Sequence, residues 1–129
     1  MAERLPSPLV RFISTHLRSV WALELLLILM REPGRKWTVP ELVRDMRAST
    51  SLIEGLLVSF ERDGLVARVD RRAWYWRPAR TDLDERAQEL LQAYQHTPFA
   101  VIQTIAEAPL SSIADFAEAF RLRGDRDKP

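Results

Sequence analysis

The sequence contains no cysteine and only two histidines among its 129 residues. The missing cysteine excludes disulfide bonds, thiolate metal sites and a cysteine nucleophile. His16 and His96 lie far apart, and neither has a neighbouring histidine or carboxylate at metal-ligand spacing. The four glycines form no phosphate-cradling loop, and there is no serine nucleophile elbow. We therefore predict no metal, no cofactor and no enzymatic activity.

Long hydrophobic runs are also missing. The longest strongly apolar run covers residues 25–30, six in all, whereas a membrane-spanning helix needs about 20. The first residues lack the apolar core of a signal peptide. We therefore expect a soluble, cytoplasmic protein with no membrane partner.

Charge is nearly balanced overall, at +1, but it is unevenly distributed. Residues 1–80 carry 14 basic and 9 acidic side chains, and residues 81–118 carry one basic and seven acidic. The last eleven residues carry four basic and two acidic. A basic N-terminal part followed by an acidic section favours a polyanionic partner for the N-terminal part.

Local signals predict a chain of helices interrupted by short strands. Ser7-Pro8 is typical of a helix start, with Ser7 as the N-cap, and Ser19 is the next capping candidate before a mostly apolar helix over 20–32. Pro33-Gly34 ends that helix, and one short strand is predicted around Trp37. Further helices are predicted at 82–95, 98–108 and 112–123.

The centre of the chain predicts two helices joined by a tight turn and followed by a hairpin. Thr38 and Glu41 match a capping box. Either Ser49 or Ser51 starts the next helix, and Gly64 ends it as a left-handed residue. Residues 65–69 and 74–77 are predicted strands, and the turn between them carries arginines.

This order resembles the winged helix-turn-helix of MarR-like or ArsR-like bacterial regulators. The resemblance depends on Trp37-Thr38, on the Ser49-Thr50-Ser51 turn, on residues 61–66 and on the return strand that ends at Pro78. Residues 115–123 also resemble a C-terminal segment of small proteobacterial winged-helix proteins. The predicted fold class is mainly α with a small β-wing, a winged helix-turn-helix plus C-terminal helices. The predicted divisions are a short N-terminal helix over 1–18, the winged helix-turn-helix over 19–80, a helical extension over 81–123 and a frayed tail over 124–129.

The resemblance implies a transcriptional regulator that binds double-stranded DNA. In this fold the third helix enters the major groove and the wing reaches the phosphates or the minor groove. On the groove-facing side of that helix, the resemblance places Thr50, Ser51, Glu54, Gly55 and Ser59. On or near the wing it places Arg68, Arg71, Arg72 and Arg77. Arg47 lies just before the turn between the two helices, where it is a candidate for contact with a phosphate.

The third helix is nevertheless poor in side chains that read bases. Between residues 48 and 60 the only charge is Glu54, and arginine, asparagine and glutamine are absent. An alternative is therefore a winged-helix module that binds a protein and not DNA, and a less favoured one is an accessory subunit of an enzyme. Trp74 and Trp76 are predicted either as core or as a stacking or dimer surface.

The C-terminal helices are candidates for a homodimer or partner interface, as the resemblance implies for helices outside the wing. The apolar face of the last helix carries the predicted interface residues Ile113, Phe116, Phe120 and Leu122.

Overall fold

A computed structural model describes residues 5–107 of the chain. Six helices and three short strands follow one another in this part: α1 (Ser7–His16), α2 (Val20–Arg31), β1 (Trp37–Thr38), α3 (Val39–Met46), α4 (Thr50–Arg62), β2 (Val66–Val69), β3 (Ala73–Trp76), α5 (Thr81–His96) and α6 (Pro98–Ala106). The fold is mainly helical with a small antiparallel sheet, which confirms the predicted mainly α class with a small β-wing. The predicted helix at 112–123, and with it Ile113, Phe116, Phe120 and Leu122, lies outside the described residues.

Local hydrogen bonds determine where most helices begin. The Ser19 hydroxyl accepts from the Ala22 N–H at 3.1 Å, which starts α2 as predicted. Thr38 and Glu41 form both bonds of a capping box at the start of α3. Ser49, not Ser51, caps α4 by accepting from the Leu52 N–H at 3.1 Å. The prediction for α1 is wrong by one residue, because Ser7 is already helical and Pro6 is the cap residue.

The sheet has the strand order β1-β3-β2, with both pairs antiparallel. Trp37 pairs with Trp74, and Trp76 lies two residues further along the same face. All three indoles are buried, so Trp74 and Trp76 belong to the core. Guanidinium groups lie over two of them, that of Arg35 at 3.5 Å from the Trp37 ring centroid and that of Arg68 at 4.9 Å from the Trp74 ring centroid.

One hydrophobic core joins these elements. It contains leucines of α2 and α3, the buried side of α4, the sheet tryptophans, and apolar residues of α1, α5 and α6. Helices α5 and α6 pack against α1, so the helices that follow the hairpin return to the N-terminal end of the fold. Gly64 ends α4 at φ +82°, as predicted, and the Leu65 N–H bonds to the Phe60 carbonyl at 2.9 Å.

No single helix in the described part of the chain is both long and apolar enough to cross a membrane. Helices α1 and α2 pass that test only when counted together, and they are bent by 104° at the break between them.

Candidate nucleic-acid interface

The leading end of α4 is open to solvent. Ile53, Leu57 and Phe60 turn towards the core and are fully buried. On the other side of the helix, four of the predicted contact residues are exposed: Thr50, Ser51, Glu54 and Gly55. The fifth, Ser59, is half-buried, and its hydroxyl accepts from the Arg62 guanidinium at 3.2 Å. The exposed end thus presents hydroxyls, one carboxylate and a glycine with no atom within 4 Å of where its Cβ would be.

Arg47 lies in the turn between α3 and α4, where its backbone is left-handed at φ 56° and ψ 43°. This conformation ends α3, because the N–H groups of Arg47 and Ala48 both bond to the Val43 carbonyl. The Arg47 side chain is exposed, and within residues 5–107 it has no carboxylate partner. It is therefore available to an anion close to the start of α4.

The hairpin tip holds two more such arginines. The Arg72 N–H donates to the Val69 carbonyl at 3.3 Å and closes a turn whose two central residues, Asp70 and Arg71, have φ of 55° and 62°. Positive φ at both positions characterises the tight turns that suit the twist of antiparallel strands. Arg71 and Arg72 are exposed, and no carboxylate of the described chain pairs with either guanidinium.

Arg68 and Arg77 do not lie with the tip arginines. Arg68 pairs across the strands with Trp74, and its guanidinium donates to the Glu61 carboxylate of α4 at 2.8 Å. The Arg68 charge is therefore largely neutralised by the protein itself. Arg77 follows the far end of β3, roughly 15 Å along the strand from the tip, where it donates to the Tyr75 hydroxyl at 3.1 Å.

Two further cations lie on exposed positions that the sequence argument did not select. Arg44 is in the last turn of α3, one helical turn before Arg47. Lys36 precedes β1, and its ammonium group lies 5.4 Å from the Tyr75 ring centroid, close to Arg77. For Arg44 the three-residue spacing from Arg47 was an available signal. No signal in the sequence indicated Lys36, because only the pairing of β1 with β3 brings residues 36 and 75 together.

Acidic side chains are interspersed with these cations. Three of them are exposed. Asp45 is adjacent in sequence to Arg44, Asp70 is adjacent to Arg71, and Glu54 lies in α4. The surface thus has cationic points and no continuous basic field. Phosphate contacts would therefore be few, and electrostatic affinity would be modest.

The carboxylates with shifted pKa values lie at helix starts. Hydrogen bonds from the backbone and side chain of Thr38 lower the pKa of Glu41. The Arg80 guanidinium, which donates to Asp82 at 2.9 Å, lowers the pKa of that carboxyl. Both shifts favour the charged form, as capping and ion pairing require, and neither prepares a general acid or base. Among residues 5–107, no three metal-ligating side chains come together.

A surface cavity of about 360 Å³ lies between the α1–α2 connection and the second half of α4. His16 and Asp63 meet in its wall, with the His16 Nδ1 2.8 Å from a carboxylate oxygen of Asp63. This contact fastens the end of α4 to α1 across 47 residues of sequence.

Comparisons of the chain with known protein families, with curated proteins and with solved structures gave no match.

Proposed function

We propose that the chain is a winged helix-turn-helix protein that binds double-stranded DNA and regulates transcription in the bacterial cytoplasm. Helix α3, the turn at Arg47 and helix α4 correspond to the helix-turn-helix, and the β2–β3 hairpin corresponds to the wing. The observation that carries the proposal is the pairing of an exposed α4 leading end with two exposed tip arginines, Arg71 and Arg72, that no described carboxylate neutralises.

The proposed contacts are divided by chemistry. Arg47, Arg71 and Arg72 bind phosphates, because guanidinium groups make charge-assisted bonds to phosphate oxygens. Thr50 and Ser51 lie at the helix end that enters the groove in this fold, and their hydroxyls discriminate little between bases. Arg68 and Arg77 have positioning roles at most, since one is paired with Glu61 and the other lies at the far end of the hairpin.

The salt dependence of DNA affinity tests this proposal. A short random-sequence duplex, titrated at several salt concentrations and followed by fluorescence anisotropy, measures the slope of log affinity against log salt. Each phosphate contact contributes about 0.9 to that slope. The double variant Arg71→Ala/Arg72→Ala should bind more weakly and with a slope reduced by about 2. Arg11→Ala, an exposed position on α1, is the matched control and should behave as the wild type. Absence of binding at low salt, or an unchanged slope in the double variant, contradicts the proposal.

A second candidate is a winged-helix module that binds a protein through α4. Val58 supports it, because its side chain is 49% exposed on the same helix as a leading end that lacks base-reading residues. Capture of a partner that survives Arg71→Ala/Arg72→Ala and is lost with Val58→Asp would favour this candidate. The reverse pattern would favour DNA.

A further inference from the structure

One side of α2 is left uncovered by the other residues that the structure describes, 5–107. Val20 and Trp21 are 40% and 41% exposed, Glu24 and Arg31 are exposed, and Leu27 and Ile28 are only half-buried. These positions recur at intervals of three and four residues, so they lie along one side of the helix. The opposite side, which includes Leu23, Leu26 and Met30, is buried in the core. We call the six uncovered positions the α2 stripe.

Two opposite charges lie on this stripe, one on each side of Leu27 and Ile28. Glu24 and Arg31 are seven residues apart, or about 10.5 Å along the helix axis, which is too far for them to pair with one another. In the described part of the chain neither side chain has an ion-pair partner. Leu27 and Ile28 lie between them, so this part of the stripe is an apolar pair with a negative group on its N-terminal side and a positive group on its C-terminal side.

We propose that the α2 stripe binds the same stripe of a second copy of the chain, with the two helices antiparallel. A two-fold axis between Leu27 and Ile28 places each Glu24 opposite Arg31 of the other copy, so both charge pairs form at once. A symmetric contact of this kind is isologous, because the same surface serves on both copies. A parallel arrangement would instead place Glu24 against Glu24, and like charges in contact disfavour it.

The ends of the stripe fit the same arrangement. In the antiparallel pair, Trp21 reaches the loop that follows α2 in the second copy. Gly34 lies in that loop, and no atom comes within 4 Å of where its Cβ would be. An exposed tryptophan would therefore meet open space beside a glycine, and aromatic residues of this kind are enriched at interfaces.

The size of the stripe predicts a weak dimer. A helix of 12 residues spans about 18 Å, so a contact made by α2 alone falls below the ~800 Å² per partner of standard interfaces. Leu27, Ile28 and Trp21 supply the affinity, and the charges of Glu24 and Arg31 set the register, because exposed ion pairs add little free energy. Dimerisation should therefore depend visibly on protein concentration.

Charge reversal on the full chain tests both the contact and its direction. Sedimentation velocity across a wide concentration range should show reversible dimerisation of the wild type. Glu24→Arg and Arg31→Glu should each weaken the dimer about tenfold, because each creates two like-charge contacts. An equimolar mixture of these two variants should recover dimerisation, since both charge contacts of the mixed dimer are then complementary. The double variant Glu24→Arg/Arg31→Glu should recover it as well.

The matched control is Glu85→Arg, a charge reversal at an exposed position on α5, which should leave dimerisation unchanged. Circular dichroism establishes that each variant keeps its helices. A wild type that stays monomeric throughout overturns the proposal, and so does a mixture that fails to recover what the single variants lost. The proposed DNA function is tested separately, because the tip arginines lie outside the α2 stripe and their variants should sediment as the wild type.

Discussion

At the residue scale, the backbone of two candidate phosphate contacts is unusual. Arg47 and Arg71 both have left-handed φ values, as does Asp70. Aspartate tolerates this region because its short side chain bonds locally, whereas for arginine the clash between Cβ and the carbonyl costs about 1 kcal/mol. Arginine therefore occupies these two positions although the backbone there locally favours glycine. Strain of this kind is typical of functional sites, and the proposed phosphate contacts supply such a function.

Replacement of Arg71 by glycine should separate folding from binding. We expect Arg71→Gly to stabilise the fold by up to about 1 kcal/mol, because glycine adopts the left-handed conformation without strain. The gain is not larger because glycine also raises the conformational entropy of the unfolded chain. The midpoint of thermal unfolding should rise by up to a few degrees. The same variant should bind duplex DNA more weakly, with a salt slope reduced by about 0.9. Arg72→Gly, at a residue with no positive φ, is the control that should lose affinity without gaining stability. Unchanged DNA affinity in Arg71→Gly would remove Arg71 from the interface.

At the scale of single elements, α3 has only eight residues; Leu42 and Met46 are buried, and Val39 and Val43 pack against the core while only partly buried. Its start therefore depends on the capping box. The Glu41 carboxylate accepts the Thr38 N–H at 2.9 Å, and the Thr38 hydroxyl accepts the Glu41 N–H at 3.4 Å. Because α3 positions the turn before α4, these two bonds also help to set where the leading end of α4 lies.

The charge of Glu41 should make part of the stability depend on pH. Hydrogen bonding lowers the pKa of Glu41 in the folded protein below its ordinary value of 4.5. Its contribution to stability is therefore fully present above that value and is lost as the pH falls through the lowered pKa. Glu41→Gln keeps an acceptor for the Thr38 N–H but has no charge to lose. Denaturant unfolding should show the wild type as the more stable protein at neutral pH, with the difference shrinking below pH 4.5. A difference that is constant with pH would contradict this role.

Glu54 carries the only charge on the leading half of α4, and its removal should strengthen DNA binding, whereas removal of the tip arginines should weaken it. Glu54 is exposed and faces the side proposed to enter the groove, so its carboxylate repels phosphates. Glu54→Gln should strengthen binding to random-sequence duplexes several-fold, with the larger gain at low salt. Glu89→Gln, on α5, is the control and should have no such effect. Weaker binding of Glu54→Gln, confined to particular sequences, would instead indicate that Glu54 accepts a bond from cytosine.

At the scale of the whole molecule, long-range contacts hold α4 in place. Asp63 directly follows the helix and meets His16 of α1 at 2.8 Å, with side chains only 19% and 14% exposed. The His16 ring also lies against Phe12, with 4.9 Å between ring centroids. The end of α4 is thus tied to α1, which in turn packs against α5 and α6. Removing Asp63 leaves the His16 Nδ1 without this bond in a largely buried position, and removing His16 leaves Asp63 with a longer contact, 3.7 Å, to the Arg62 guanidinium.

A double-mutant cycle measures this tie. His16→Ala and Asp63→Ala should each destabilise the fold. The double variant should lose less stability than the sum of the two single losses, and the difference, the coupling energy, should be ~1 kcal/mol. Denaturant unfolding gives all four free energies. Asp84→Ala, a half-buried carboxylate of α5, combined with His16→Ala, is the control pair and should be additive. Full additivity of His16→Ala and Asp63→Ala would show that the contact contributes nothing to stability.

The sequence predicted much of the local structure and less of the candidate site. The helix starts at Ser19 and Thr38 followed from side chains that bond to the adjacent backbone, over at most three residues. The end at Gly64 followed from a residue without Cβ, which adopts a left-handed φ at little cost. The start of α1 was misplaced because neither Pro6 nor Ser7 makes a side-chain cap bond. The exposed end of α4 was predicted correctly, since the spacing of Ile53, Leu57 and Phe60 alone indicates which side is buried. The resemblance placed Arg68 and Arg77 on or near the wing, but the sequence did not show that Arg68 pairs with Glu61 or that Arg77 bonds to Tyr75 at the far end of β3.

The sequence by itself determined the order of helices and strands, the caps that begin α2 and α3, the glycine that ends α4 and the apolar sides that form the core, because each depends on interactions between near neighbours. The tertiary structure decided which arginines remain available to an anion. Arg68 is neutralised by Glu61 and stacked on Trp74, whereas Arg71 and Arg72 meet no carboxylate of the described chain. It also decided which side of α2 the other described residues leave uncovered. These outcomes depend on partners brought together by strand pairing and helix packing, and separation along the chain does not reveal those contacts.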